Sequence, residues 1–214
     1  MSKKDHKPHD RFIRKVLSNR KVVKQYIQQF VPKQIVERLD FRTLKSSPNS
    51  FVDEKLEEHI SDIVYHCDWK KQGTKTRRVR ISFLLEHKSY LPQYPHLQLL
   101  RYLLDAWEND VAEKKPLTLT IPIILYHGKK KWHYRSFAEY FELPDEALRS
   151  FIPQFEYLLT DLSQMTDEEI LKLEMGFLVN TLIVLKHSRD KEYYKNYPDR
   201  IYVFGKKYAE TESG

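Results

Sequence analysis

The sequence predicts an α/β fold, a central mixed sheet flanked by helices, and three stretches carry that prediction. Residues 61–89 (SDIVYHCDWKKQGTKTRRVRISFLLEHKS) read as two apolar strands joined by a charged hairpin. A helix follows near Pro95, with apolar residues at helical spacing. Leu117 to Tyr126 (LTLTIPIILY) then reads as a buried strand. Strands and helices in this alternation predict a layered α/β sandwich with its chemistry at the centre of the sheet.

The elements can be taken in order. Met1 to His9 is a polar, basic lead-in. Asp10 stands where it would cap a helix whose apolar positions run Phe12, Ile13, Val16, Leu17, Val23, Tyr26, Ile27 and Phe30. Asn19 interrupts that helix and Pro32 ends or restarts it. From Ile35 to Ser50 the pattern weakens, with Leu39, Phe41 and Leu44 alternating loosely with charges, and Phe51 and Val52 are expected to finish an edge strand. The hairpin spans Lys70 to Lys75 around Gly73.

In the helix after Pro95, the expected buried stripe is Leu97, Leu100, Leu104, Trp107 and Val111. Gln98, Arg101, Tyr102 and Asp105 lie on another face, with Tyr102 and Asp105 on its solvated side. Phe137 to Phe141 is a short helix and Phe155 to Asp161 a further strand. Thr166 and Glu169 form a capping box ahead of a helix from Ile170 to Lys186, which predicts a C-terminal helical extension. The expected organisation is a lead-in over 1–9, one domain over 10–188, and a polar, tyrosine-rich tail over 189–214.

Charge is unevenly spread. Residues 1–50 hold 13 Lys or Arg against 4 Asp or Glu, a net of +9; the whole chain carries +7, so the remainder sums to −2. A basic first third suits contact with a polyanion. The bland alternative is a solvated helix face. No segment has the pattern of a signal peptide, no apolar run reaches bilayer length, and the single cysteine, Cys67, can form no internal disulfide. These features predict a cytoplasmic protein with no membrane partner.

The candidate site lies at the end of the second strand. Side chains alternate across a sheet, so Ser82, Leu84, Glu86 and Lys88 share one side, with Val79, Ile81, Phe83, Leu85 and His87 on the other. A carboxylate and an ammonium at the end of an apolar strand are costly without partners. A divalent cation held by Asp62 and Glu86, with Lys88 beside it, would supply them. Mg2+ prefers few carboxylates and keeps several waters, so these two suffice, with the backbone carbonyl of His87 near enough to complete the set. Mn2+ or Ca2+ could take the same place.

Such a set fits phosphodiester cleavage, where the cation offsets developing charge and Lys88 orients the attacking water or moves a proton. Gln98 and Arg101, one turn into the helix nearest Lys88, are placed to reach it. The alternative is a strand-start cap at Asp62 and a surface ion pair between Glu86 and Lys88.

The pattern of an Asp, a hairpin, then Glu-x-Lys on the next strand resembles the PD-(D/E)xK nucleases. Further stretches resemble the Rpn family of recombination-promoting nucleases, also known as YhgA-like transposases: Pro8–His9–Asp10 with Phe12, Ser50–Phe51–Val52–Asp53, Ser61–Asp62, Leu84–Leu85–Glu86–His87, Leu99–Leu100–Arg101–Tyr102, and Ile121 through Gly128. The resemblance runs from about Pro8 to Lys186 in the same order.

It implies a restriction-endonuclease-like core and metal-dependent cleavage of DNA linked to recombination or mobile elements. Within that frame Asp62, Glu86, Lys88 and Gln98 are the catalytic set. Lys15, Arg20, Lys21, Lys24, Arg77, Arg78 and Arg101 would hold the DNA backbone. Asp10 gains a second reading as an extra acidic ligand on the first helix. Cutting both strands needs two sites, which a homodimer would supply.

Two departures stand out. Family members often carry Gln where this chain has Lys88, and many continue well past the last helix. A rival from another class keeps the DNA and loses the chemistry: an inactive DNA-binding accessory of a mobile element. The remaining motifs point to structure. His59, His66, Cys67 and His87 are scattered by strand alternation, and Cys67 reads as a small core thiol. Lys129–Lys131 with Trp132 and Tyr134 mixes charge and aromatics as DNA-binding surfaces do, but also as solvated loops do.

Overall fold

The computed structural model describes residues 15–47, 63–70, 80–173 and 176–197. A five-stranded sheet forms the centre in the order β1 (Leu39–Ser46), β2 (Ile63–Trp69), β3 (Arg80–Lys88), β4 (Leu119–Tyr126) and β5 (Leu158–Asp161). The first three strands pair antiparallel, and β3–β4 and β4–β5 pair parallel, so the sheet is mixed. Tyr65 sits opposite Phe83, Leu85 opposite Ile123, and Lys88 opposite Tyr126.

Helices cover both faces. Helix α1 (Arg20–Phe30) begins at Asn19, whose side chain accepts a hydrogen bond from the Lys21 amide at 2.9 Å. That capping is why the chain interrupts there: residues 15–17 are helical, and Asn19 starts a second helix. Val22, Val23, Tyr26 and Ile27 form its buried side, and a short α2 (Lys33–Val36) follows Pro32. With α5 (Gly176–Lys186) they cover the sheet face bearing Tyr65, Phe83, Leu85, Ile123 and Leu125.

The opposite face carries Val64, Ile124 and Tyr126, and α3 (Pro95–Ala112) lies over it through Leu99 and Tyr102. Pro95 opens α3, where its missing N–H costs nothing. Trp132 and Tyr157 close this second cluster, with the Trp132 indole donating to the Tyr157 hydroxyl at 3.0 Å. A third cluster around Phe137, Ala138 and Ile152 takes in part of Leu100.

Two expectations need correction. The buried stripe of α3 is His96, Leu99, Tyr102 and Leu103; Leu97, Leu104 and Val111 are 50, 48 and 64 % exposed. The helix is apolar on several sides, so spacing alone left its phase open. Its neighbour decides: the sheet beneath carries Glu86 and Lys88, and the helix turns Gln98 and Tyr102 toward them.

The expected helix from Ile170 to Lys186 is two, α4 (Asp167–Leu171) and α5, the second opening at Gly176. The first of these ends at Lys172, whose amide donates to the carbonyls of Glu168 and Ile170, and Leu173 continues as a turn. The Thr166–Glu169 capping box is present. The edge strand of the sheet is β1, within the stretch where Leu39, Phe41 and Leu44 alternate loosely. A bulge between Asp40 and Lys45 shifts its register, so Leu39 and Leu44 are both buried though five residues apart. The proposed strand end at Phe51–Val52 lies outside the described residues, as does the hairpin turn.

Past residue 188, α6 (Lys191–Asn196) is capped by Asp190, whose carboxylate accepts from the Tyr193 amide at 3.1 Å. Tyr193 packs into the main core. Among the described residues, no helix is long and apolar enough to cross a membrane.

Candidate active site

Strand β3 delivers Glu86 and Lys88 to the face under α3, two residues apart and therefore on one side. They are 1 and 5 % exposed and form a direct ion pair between Glu86 Oε1 and Lys88 Nζ. A surface pair is thus the wrong reading of these two residues. Removing both charges from water is costly, and the arrangement survives only with further polar partners.

Gln98, in the second turn of α3, supplies them. Its Oε1 accepts from Lys88 Nζ at 2.7 Å, and its Nε2 donates to Glu86 Oε1 at 3.2 Å and to the Tyr102 hydroxyl at 2.8 Å. The amide therefore reads both charges at once, and its orientation is fixed by them. Tyr102, four residues further along the helix, was expected on the solvated side and instead completes the cluster. Burial pushes its hydroxyl up to about 12, with the Glu86 carboxylate adding to the effect, so it stays neutral. Its i, i+4 spacing from Gln98 was the available signal.

One atom is left over. Glu86 Oε2 is buried, and among the described residues no donor reaches it. An ionised carboxylate oxygen in that position is expensive, and a cation is the partner its chemistry suits. The donor set therefore fits a divalent metal on this side. Among the described residues there is no cluster of three or more His, Cys, Asp or Glu side chains that would form a complete cage. Asp62 and Asp10 lie outside the described residues.

The other expected groups are distributed as follows. The His87 side chain points to the opposite face and stacks on His127, with ring centroids 6.0 Å apart. Arg101 is exposed on α3, on the same layer as the cluster. Lys15, Lys21 and Lys24 are exposed, but Lys21 and Lys24 ride on α1, which covers the other face of the sheet. Arg20 is committed to the fold: its guanidinium donates to the carbonyls of Phe41 and Arg42 at 2.9 and 3.0 Å. Arg77 and Arg78 lie outside the described residues.

Trp132 is core, holding Asp161 through its backbone amide at 2.9 Å, while Lys129, Lys130 and Lys131 beside it are exposed. Cys67 is buried, and burial raises its thiol pKa, as expected of a core thiol.

A mixed five-stranded sheet, helices on both faces and a carboxylate–lysine pair at the end of a central strand define a restriction-endonuclease-like α/β core. The family model described as "Putative transposase, YhgA-like" matches residues 7–213, and the chain belongs to that family. It is 26 % identical to recombination-promoting nuclease RpnD of Escherichia coli O157:H7 over 189 residues, covering 86 % of this chain and 69 % of that protein. It is 27 % identical to recombination-promoting nuclease RpnA of Escherichia coli strain K12 over 194 residues, 90 % of this chain and 64 % of the relative. The inactive recombination-promoting nuclease-like protein RpnE of the same strain is 22 % identical over 186 residues, 86 % of this chain and 60 % of its own length. The chain thus spans roughly two thirds of the relatives it matches. No solved structure matches it.

Proposed function

We propose that the chain is a metal-dependent DNA endonuclease whose centre is Asp62, Glu86, Lys88 and Gln98. The observation that carries this reading is the buried Glu86–Lys88–Gln98 cluster with one carboxylate oxygen that no donor among the described residues reaches. Similarity to proteins named recombination-promoting nucleases supports it. Glu86 Oε2 and Asp62, with the His87 carbonyl, would hold Mg2+ or another divalent cation. Asp62 directly precedes Ile63, whose partner across the sheet is Leu85, the neighbour of Glu86.

When bound, the cation would offset charge on the phosphoryl oxygens and lower the pKa of a coordinated water. The chain's own residues do the rest. Lys88 presents an ammonium to the phosphate or to the incoming water, and its position is set by Gln98 rather than by solvent. Gln98 in turn keeps Glu86 turned so that Oε2 stays available. Arg101, exposed one helical turn from Gln98, offers a cation for the phosphate backbone on the same layer.

The test is nicking of supercoiled plasmid by purified protein in Mg2+, Mn2+ or EDTA, beside Asp62→Asn and Gln98→Ala, with circular dichroism to verify folding. Cutting that needs metal, disappears in Asp62→Asn and falls about 10²-fold in Gln98→Ala supports the reading. Cutting that survives Asp62→Asn would overturn the site. A second reading, an inactive DNA-binding accessory, is favoured by one relative's printed designation as inactive. It predicts salt-sensitive DNA retention with no nicking in any metal.

A further inference from the structure

On the sheet face opposite Glu86, a cavity of about 470 Å3 opens beside the carboxyl ends of β4 and β5. Its lining includes Leu162, a member of the core under α1 and α5, and His127, which follows β4. The volume lies within the range of about 300–1,000 Å3 usual for small-molecule sites. The charge of the lining is what distinguishes it. Lys129 and Arg189 face it beside Lys186, whose ammonium is paired with Asp167, and the lining carboxylate, Asp190, is engaged in capping α6.

Two lining groups are held in place from behind. Asp167 accepts from Lys186 Nζ at 2.8 Å and pairs with His187 Nε2 at 2.9 Å, while the Tyr193 hydroxyl donates to its second oxygen at 2.7 Å. Burial alone would raise the Asp167 carboxyl; bonds from Lys186, His187 and Tyr193 overcome it and hold the group well below the usual range. His187 is clamped further by a parallel stack on Tyr193, with centroids 3.4 Å apart. Side chains ordered in advance bind a ligand without a new entropic cost.

We propose that this cavity is a phosphate-binding site, taking the phosphate group of a nucleotide or of a nucleic-acid strand. A phosphate ester carries one or two negative charges and several acceptor oxygens. The Arg189 fork and the Lys129 ammonium match both properties, and the Ser163 hydroxyl adds a short polar group to the same wall. The site is distinct from the Glu86 cluster, and the proposal does not depend on nuclease activity. The two are nonetheless close in space: the His127 amide donates to the Lys88 carbonyl at 2.8 Å, and the His127 ring stacks on His87. A phosphate held here would occupy the same strand end as Lys88 from the other side of the sheet.

Calorimetric titration of the full chain with inorganic phosphate and with ATP, and anisotropy with a labelled DNA duplex, tests this in EDTA. The variant is Lys129→Gln with Arg189→Gln, both exposed and outside the core. Lys33→Gln with Lys114→Gln, both exposed and assigned no contact with DNA, removes equal charge elsewhere as a control. Saturable binding of phosphate or ATP, weakened about tenfold or more by the first pair and not by the control, is the expected result and identifies a small phosphate ligand. Loss confined to the duplex, again only in the first pair, also supports the site and assigns it to a strand phosphate. Equal weakening by both pairs would mean general charge attraction and would overturn the proposal. Binding of all three ligands unchanged in the first pair would overturn it too.

Discussion

The two faces of the sheet solve the same problem with different chemistry. Under α1 and α5, Tyr65, Phe83, Leu85, Ile123 and Leu125 pack against aliphatic side chains, and the Tyr26 hydroxyl bonds Thr160 at 2.6 Å. The charged Asp167 network with Lys186, His187 and Tyr193 sits at the margin of this core rather than on the strands. Under α3 the sheet presents Glu86 and Lys88, and the helix answers with Gln98 and Tyr102. Burial of apolar area stabilises the first face without regard to direction, at roughly 25 cal/mol per Å2. The second holds together only if each polar atom finds its partner, so it tolerates fewer sequences while contributing little net stability. A fold that needed only a core would have two faces of the first kind.

The largest expected effects separate these regimes. Phe83→Ala should cost about 3–5 kcal/mol in urea unfolding, through lost burial and a cavity. Lys88→Met should cost a similar amount, about 3–5 kcal/mol, for a different reason: it leaves the Glu86 carboxylate buried and unpaired. The double variant Glu86→Leu/Lys88→Met should recover most of that loss, within about 1 kcal/mol of the parent chain, and should show no plasmid nicking. No second substitution at Glu86 should rescue Phe83→Ala. If Lys88→Met proved as stable as the parent, the pair would be more hydrated than its burial indicates, and the contrast between faces would fail.

Next in size is a pH effect confined to the α3 side. His96 is fully buried, stacked on Phe137 at 5.1 Å and edge-on to Tyr140, Phe155 and Tyr157. Among the described residues neither ring nitrogen has a hydrogen-bond partner, and burial lowers its pKa below 6.5, against a smaller opposing pull from Glu139. Below 6.5 the unfolded chain binds a proton that the folded chain refuses, so stability falls as pH drops through that window down to the lowered value. His96→Phe removes the titration and leaves no unsatisfied nitrogen. Its unfolding free energy at pH 7 should match or exceed that of the parent, and the difference should widen toward pH 5. A parent and variant that lose stability in parallel on acidification would show that His96 is not the group responsible.

How much of this was legible in the sequence follows the same division. β2, β3 and β4 could be read because long apolar strands in a sheet covered on both faces leave a plain signal, and the shared face of Glu86 and Lys88 follows from alternation alone. β1 was obscured because its bulge moves Leu39 and Leu44 out of alternation. The break before Gly176 was obscured by an apolar pattern that continues across it. Gln98 was placed at the site from its position in the helix, yet Tyr102, four residues on, was assigned to solvent. Its hydroxyl partner, Gln98, is one turn back on the same helix, but what turns that face of α3 toward the sheet is Glu86 and Lys88 on another element.

The smallest expected effect probes that same ambiguity of phase in α3. Leu97 and Leu104 were read as its buried stripe, and in the structure each is about half exposed while Leu99 and Leu103 are buried. Leu97→Ser and Leu104→Ser should each change stability by no more than about 0.5 kcal/mol, as expected of substitutions away from packed positions. Leu99→Ser should cost several times more, because it places a hydroxyl among Val64, Ile124 and Tyr126 as well as removing apolar volume. The comparison reads the helix phase directly, because a rotation of about 100° per residue moves one set in as it moves the other out. Equal losses at Leu97 and Leu99 would mean that α3 meets an apolar partner on both sides. A larger loss at Leu104 than at Leu99 would turn Gln98 away from Lys88, and the polar cluster on that face would go with it.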